Sequence, residues 1–319
     1  MTIHVLGAGV AGLSTALRLA EAGRRVAVHE AAADLTRSAS WLAGGMLAPF
    51  CEAAVAEDAI IQPGLDGIEF WSRFGSAERN GTLVLASGRD GGDFRQFAVR
   101  TRHHRLLGPA EIEALEPDLA GRFPSALFFE EEAHLDPRRT LVDMTARIEA
   151  LGGAVHFFCA HDPQDFAGER VVDCRGTAAD ALRLRSVRGE MAIVRCRDVS
   201  LSRPVRLLHP RWPIYVVPRR DHTFMIGATM VESASEAPVT LRSAVELLTA
   251  AFALHPAFAE AEVLELASGR RPAFPDNLPK VERTTTGVVF SGLHRHGFLL
   301  SPTYSRIAVD ALIQEKEAA

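Results

Sequence analysis

Hydrophobic and polar positions along this chain fall into blocks whose period changes. Thr2-Ile-His-Val-Leu6 is a short apolar run ending on Gly7, the pattern of a strand buried in a parallel sheet. Leu13, Ala16, Leu17 and Ala20 then recur at helical spacing, and Gly23 closes that helix. Arg25-Val-Ala-Val-His29 reads as a second strand, so the chain opens β-α-β. The same grammar returns in the middle. A helix opens at Leu135-Asp136-Pro137, with Leu141, Met144, Ile148 and Leu151 on one face, and Gly152-Gly153 stop it. Strands follow at 154–158 and 171–173. A last unit is the strand Gly287–Ser291, a glycine-bearing loop, and a helix expected from Pro302 to about Gln314 with Ser301 as its N-cap.

Between these blocks the period shortens. Residues 183–230 read as strands, with a hairpin of Tyr215–Pro218 and Thr223–Thr229 around Arg219–His222. Tyr215, Val217, Phe224, Ile226, Ala228 and Met230 are expected on one face of it. A helix is expected at 240–254, facing inward through Leu241, Val245, Leu248 and Ala251. The fold class is therefore α/β: a Rossmann-like nucleotide domain from 1–60, 135–185 and 262–319, with an antiparallel-sheet substrate domain inserted as 61–134 and 186–261.

The first β-α-β unit carries Gly7-Ala-Gly9-Val10-Ala11-Gly12 at the strand-to-helix turn and Glu30 at the end of the second strand. Gly7 permits the tight turn, Gly9 lets backbone approach a pyrophosphate, and Gly12 lets helix and strand pack closely. The helix N-terminus offers unpaired amides and positive dipole to phosphates, and Glu30 can accept from both ribose hydroxyls. The nucleotide could be NAD or FAD. Two features favour FAD. The hydroxyl- and glycine-rich segment Ser38–Pro49, with Ser40, Trp41, Gly44, Gly45 and Met46, suits a loop wrapped around a resident cofactor. The loop Gly292-Leu-His294-Arg295-His296-Gly297-Phe298 precedes a helix whose N-terminus could face a flavin edge that becomes negative on reduction.

Composition narrows the partners. The 319 residues are 47% hydrophobic and 24% charged, which excludes disordered and disulfide-scaffold classes. A net charge of -5 without a basic stripe argues against nucleic acid, and no apolar stretch is long enough for a membrane span. The N-terminus lacks a signal-peptide pattern and the four cysteines lack ligand-like spacing, so a cytoplasmic protein with neutral thiols is expected. No metal site is expected. His294 and His296 resemble a ligand pair, but no third donor accompanies them.

With Gly7–Gly12, Glu30, Ser40–Pro49, Tyr215-Val-Val-Pro-Arg219, Gly227-Ala-Thr-Met230, Gly269-Arg-Arg271-Pro272 and Gly292–Pro302 in view, the chain resembles the glycine oxidases of the thiamine-biosynthesis type, within the D-amino acid oxidase superfamily. The resemblance covers nearly the whole chain. It implies that Arg271 holds the substrate carboxylate with Tyr215, that Arg295 lies near flavin and substrate amine, and that Met230 lines the pocket. It also implies that the turn at Gly176 lies near FAD, with Arg175 beside it. Where some relatives carry a histidine two residues before the tyrosine, this chain has Pro213, so no role of that histidine transfers.

Read without the resemblance, Arg271 beside Arg270 could be a solvated pair and Tyr215 a core tyrosine. Arg219-Arg220 reads as solvated and His103-His104 as surface. The reaction expected is oxidation of glycine or another small amino acid to the imino acid, with hydride passing from Cα to flavin N5 and O2 reoxidation giving H2O2. The product would feed thiamine thiazole synthesis. The alternatives are a sarcosine or D-amino acid dehydrogenase using another acceptor, and a redox-silent nucleotide-binding protein. A homo-oligomer is left open.

Overall fold

The computed structural model describes residues 1–56, 58–86, 91–179, 183–209 and 211–313. Its first sheet has six strands in the order Lys280–Arg283, Gly287–Ser291, Arg170–Asp173, Ile3–Leu6, Val26–His29, Ala154–His156. All neighbours run parallel except the outermost pair, Lys280–Arg283 on Gly287–Ser291. The central strands are buried on both faces, as their continuous apolar runs require. The helix Val10–Glu21 covers one face, burying Leu13, Ala16, Leu17 and Ala20 against the helices Pro137–Ala150 and Gly297–Ile313.

The helix Pro137–Ala150 begins as the sequence indicates. Asp136 accepts from the amides of Arg138 (2.9 Å) and Arg139 (3.4 Å), and Leu141, Met144 and Ile148 face inward. Leu151 is the C-cap and is partly exposed. The C-terminal helix departs from expectation. It starts at Gly297 instead of Pro302, so Ser301 is not its N-cap and Pro302 lies inside it. A proline there removes the amide that would bond the carbonyl four residues earlier, that of Phe298. The Trp71 indole N–H fills the vacancy, donating to Phe298 O at 2.6 Å. The expected end at Gln314 lies outside the described residues.

The second sheet has nine strands, antiparallel except where Val205–Leu208 runs parallel to Thr82–Ala86. Two parts of the expected division shift. Glu262–Ala273, assigned with the nucleotide segments, pairs along its length with Arg185–Arg195 in this sheet. Ile61–Phe74, assigned to the substrate segments, packs its Ile68 and Trp71 into the core of the parallel sheet. The hairpin forms as Ile214–Pro218 and Thr223–Gly227, but its register sets Tyr215 opposite Gly227 and Val217 opposite Met225. Phe224 and Ile226 therefore share the other face, with Val216. The reason is the odd loop: Arg219 N bonds Thr223 O, enclosing three residues of which Asp221 and His222 have positive φ. The apolar face packs under the helix Leu241–Leu254, capped by Thr240. That helix faces inward through Leu247, Ala250, Ala251 and Leu254, while Leu241 and Val245 are exposed, a rotation from the face expected.

Candidate functional site

A cavity of about 1040 Å³ lies between the two sheets. At one end the Val10–Glu21 helix points its N-terminus into it. Gly7 takes φ +95°, and a Cβ there would lie 2.8 Å from Cys174 O. A Cβ on Gly12 would lie 1.9 Å from Gly7 O, so only glycine lets this helix start so close to the strand. Val10 N donates to Ser40 Oγ at 2.9 Å, whereas the amides of Gly9, Ala11 and Gly12 have no protein acceptor among the described residues. Glu30 accepts from Ala8 N (2.8 Å) and Ala32 N (3.0 Å), which orients its carboxylate and leaves lone pairs for hydroxyl donors. The N-terminus of Gly297–Ile313 meets the same cavity; Gly297 lies against Val10. Two helix N-termini and a cradle of glycines fit a large anionic nucleotide.

The other end is a wall of the nine-stranded sheet. Residues paired directly across antiparallel strands share a face, so the register places Tyr215, Gly227, Met191, Ala267, Gly189, Gly269 and Arg271 on one surface. The glycines make that surface a floor. A Cβ on Gly227 or on Gly44 would lie 2.6 Å from the Tyr215 ring, and one on Gly189 would lie 2.1 Å from Arg271 Nη2. The phenol and the guanidinium lie flat where any larger residue would lift them.

Charge pairing around this wall is selective. Arg138 meets Glu265 at 2.9 Å and stacks on Trp41; Arg270 meets Glu236, and Arg175 meets Asp173 and Asp162. Arg295 meets Glu52 at 3.0 Å, and Arg206 meets the same carboxylate at 2.9 Å. Among the described residues bordering the cavity, Arg271 is the one partly buried arginine without a carboxylate partner. Its sole protein acceptor there is Thr229 O, at 3.3 Å. Burial holds its pKa below the usual arginine value, with Arg295 adding to the effect and Tyr215 opposing it. His294, half-buried and so disfavoured as a cation, and disfavoured further by Arg271 and Arg295, is held at about 3 and is neutral at pH 7. A desolvated guanidinium with open donors beside a phenol is chemically able to receive a carboxylate.

Of the residues singled out from sequence, Gly7, Gly9, Val10, Ala11 and Glu30 border the cavity, as do Ser40, Trp41, Gly44 and Gly176. So do Tyr215, Arg271, His294, Arg295, Gly297 and Phe298. Others lie behind it. Gly12 shapes the turn; Gly45 adopts φ +79° against Leu135 O; Met46 packs on an apolar cluster; His296 is buried 3.9 Å from Glu52. Met230, expected in the pocket, is 58% exposed and does not border the cavity, because it lies past Gly227, where the paired strand Thr223–Gly227 ends. Arg219 is not solvated: buried, it donates to Gly44 O (2.6 Å) and Leu135 O (3.0 Å), tying the hairpin to the glycine loop. The guanidinium of Arg175 is consumed by its two aspartates. The sequence reading missed Glu52, whose signal was a lone carboxylate in the apolar run after Pro49. It also missed the buried Arg188–Glu190 pair, in which Arg188 donates to the carbonyls of Ser235, Ala237 and Pro238 and fastens that segment beside the cavity.

Comparison with known proteins gives this geometry a context. The sequence profile of the family described as FAD dependent oxidoreductase matches residues 2–311. A putative thiamine biosynthesis oxidoreductase, ThiO, of Rhizobium etli is 48% identical over 99% of this chain and 98% of its own. A glycine oxidase of Bacillus licheniformis is 26% identical over 97% of this chain and 92% of its own. Among solved structures, glycine oxidase from Geobacillus kaustophilus superposes with a TM-score of 0.85 at 22% identity, covering 99% of this chain and 95% of that one.

Proposed function

The chain belongs to the FAD dependent oxidoreductase family and is an FAD enzyme, and from that premise we propose that it oxidises a small α-amino acid, glycine foremost, to the imino acid. When bound, FAD would supply the two-electron acceptor for the hydride leaving Cα, with dioxygen as the final acceptor and H2O2 as its product on this reading. The protein's own part is to bind and orient. Arg271 and Tyr215 together receive the substrate carboxylate, two charge-assisted N–H donors fixing its plane and the phenol its rotation. The glycine floor keeps both groups low, leaving room above them for a substrate with little or no side chain. His294 is neutral and Arg295 is engaged by Glu52, so Arg271 is the guanidinium left open to a substrate carboxylate. The Gly9 and Ala11 amides would take the pyrophosphate and Glu30 the ribose, with Ser40, Trp41, Gly44, Gly176, Gly297 and Phe298 enclosing the cofactor. The likeness to the Rhizobium etli protein supports a place in thiamine biosynthesis. Four free thiols support a reducing cytoplasm, and no helix among the described residues is long and apolar enough to cross a membrane.

The reading rests on Arg271, a guanidinium desolvated against Gly189 with one weak protein acceptor. Two lost charge-assisted hydrogen bonds of about 1.5–3 kcal/mol each imply a fall in kcat/KM of at least about a hundredfold for Arg271→Met. The variant should retain FAD. Mixing the wild type anaerobically with glycine, sarcosine or small D-amino acids should bleach the flavin, and peroxide release on admitting oxygen should identify the best substrate. Bleaching that persists unchanged in Arg271→Met would remove this residue from its role. Turnover with an artificial acceptor and none with dioxygen would assign a dehydrogenase.

A further inference from the structure

At the Glu30 end of the cavity, three metal-ligating side chains converge: one ring nitrogen each from His29 and His161 and the sulfur of Cys159 lie within 4.8 Å of one another. All three border the cavity and are half-buried. The chain brings them together by topology. His29 ends a parallel strand whose neighbour, Ala154–His156, leads straight into the loop bearing Cys159 and His161. That loop is held to the first strand's end by Phe158 N to Ala32 O and Cys159 N to Glu30 O, each at 2.9 Å.

Hydrogen bonding fixes which nitrogen of each ring carries the proton. His4 Nε2 lies 3.1 Å from Glu169 Oε2, and His4 Nδ1 lies 3.0 Å from His29 Nε2. A carboxylate accepts, so in the neutral tautomer His4 donates through Nε2 and its Nδ1 accepts from His29 Nε2–H. The remaining lone pair of His29 is on Nδ1, an atom buried without any hydrogen-bond partner. His161 repeats the arrangement: Nδ1 donates to Asp165 Oδ2 at 3.0 Å, which leaves the lone pair on Nε2. Each histidine is thus backed on its far nitrogen, one by Asp165 and one through His4 by Glu169. This is the outer support that metal-binding imidazoles require.

We infer that His29, Cys159 and His161 form a site for a divalent transition-metal ion of the Zn2+ class, with a fourth coordination position toward the cavity. Two imidazoles and a thiolate select this class over Mg2+ or Ca2+, which take oxygen donors. Zinc bonds of about 2.0–2.3 Å set tetrahedral donors roughly 3.3–3.6 Å apart, so the trio must close by at most about 1.5 Å, within reach of side-chain rotation. The trio leaves no compact signature in the sequence, since the third donor lies 130 positions upstream of Cys159.

The test uses the purified holoenzyme, freed of any affinity tag, and does not depend on its substrate. Equilibrium dialysis against Zn2+ with elemental analysis should give one ion per chain. Titration with Co2+ should raise ligand-field bands at wavelengths beyond the flavin absorption, of the form that tetrahedral thiolate coordination gives. Cys159→Ser and His161→Asn should each weaken binding at least about tenfold, and Asp165→Asn, which keeps all three ligands, by about ten- to a hundredfold. FAD content equal to wild type confirms that these variants fold. No stoichiometric binding by the wild type, or affinity unchanged in both ligand variants, overturns the assignment and leaves the amino acid reading untouched.

Discussion

Glu52→Gln keeps the shape of a buried side chain and deletes its charge. The carboxylate is 13% exposed and faces two guanidiniums, Arg206 at 2.9 Å and Arg295 at 3.0 Å. Burial alone would raise its pKa. Arg295, then Arg206, then His296 outweigh that and pull it from 4.5 to about 2. The difference, about 2.5 pH units, corresponds to about 3 kcal/mol of stability at pH 7. Breaking a buried pair from one side costs about 3–5 kcal/mol, so two routes agree on the size. A depressed carboxylate pKa stabilises the fold above the unfolded-state value near 4.5 and loses that contribution as pH falls through about 2. Urea denaturation of wild type and variant, both saturated with FAD and checked for equal affinity, should show a gap of about 3 kcal/mol at pH 7, shrinking to about half by pH 3. A variant within about 0.5 kcal/mol of wild type at pH 7, or a gap that widens on acidification, would refute the account.

Two further substitutions probe local devices. Trp71→Phe removes the donor to Phe298 O and should cost about 1–3 kcal/mol, read as a lowered melting temperature. Adding Pro302→Ala restores an amide to that carbonyl and should recover part of the loss, whereas strictly additive effects would show the two groups to be unrelated. Gly44→Ala places a methyl group 2.6 Å from the Tyr215 ring, displacing the phenol while the cofactor stays bound. KM for the amino acid should rise about ten- to a hundredfold at normal FAD content, and an unchanged KM would take Tyr215 out of substrate binding.

The parallel sheet was legible because its signals are local. Gly7–Gly12, Glu30 and the Asp136-Pro137 start each state a backbone requirement within a few residues, and each element formed where those requirements placed it. The misreadings arose where a distant partner overrode a local rule. Pro302 looks like a first-turn proline, and it sits inside a helix because Trp71, more than two hundred positions earlier, satisfies the carbonyl it strands. The hairpin face was inverted by loop parity: one residue more or less between Arg219 and Thr223 exchanges the two faces, and composition does not count that residue. The helix Leu241–Leu254 turned for a related reason. It is apolar enough on several sides that its inward face is chosen by the Val216, Phe224 and Ile226 surface beneath it.

The candidate site was legible in its glycines and in Arg271, but not in what makes Arg271 distinctive. Arginines crowd this cavity, and sequence gives no way to tell which are spent. Arg295 is paired by Glu52 across 243 positions, Arg138 by Glu265 across 127, and Arg219 is absorbed by the carbonyls of Gly44 and Leu135. Only after these pairings are drawn does Arg271 stand out, among the described residues bordering the cavity, as the partly buried arginine without a carboxylate partner. The carboxylates bordering the cavity are engaged as well: Glu190 with Arg188, Glu265 with Arg138, Glu236 with Arg270, and Glu30 with two backbone amides. Among the described residues at the wall, Arg271 is thus an open cation while Glu190, Glu265 and Glu236 are each spent on an arginine, a pattern that suits a carboxylate better than an ammonium. On the proposed reading the amine is received uncharged, the form whose lone pair can assist loss of hydride from Cα. Binding selectivity and readiness for oxidation then follow from the same pattern of pairing.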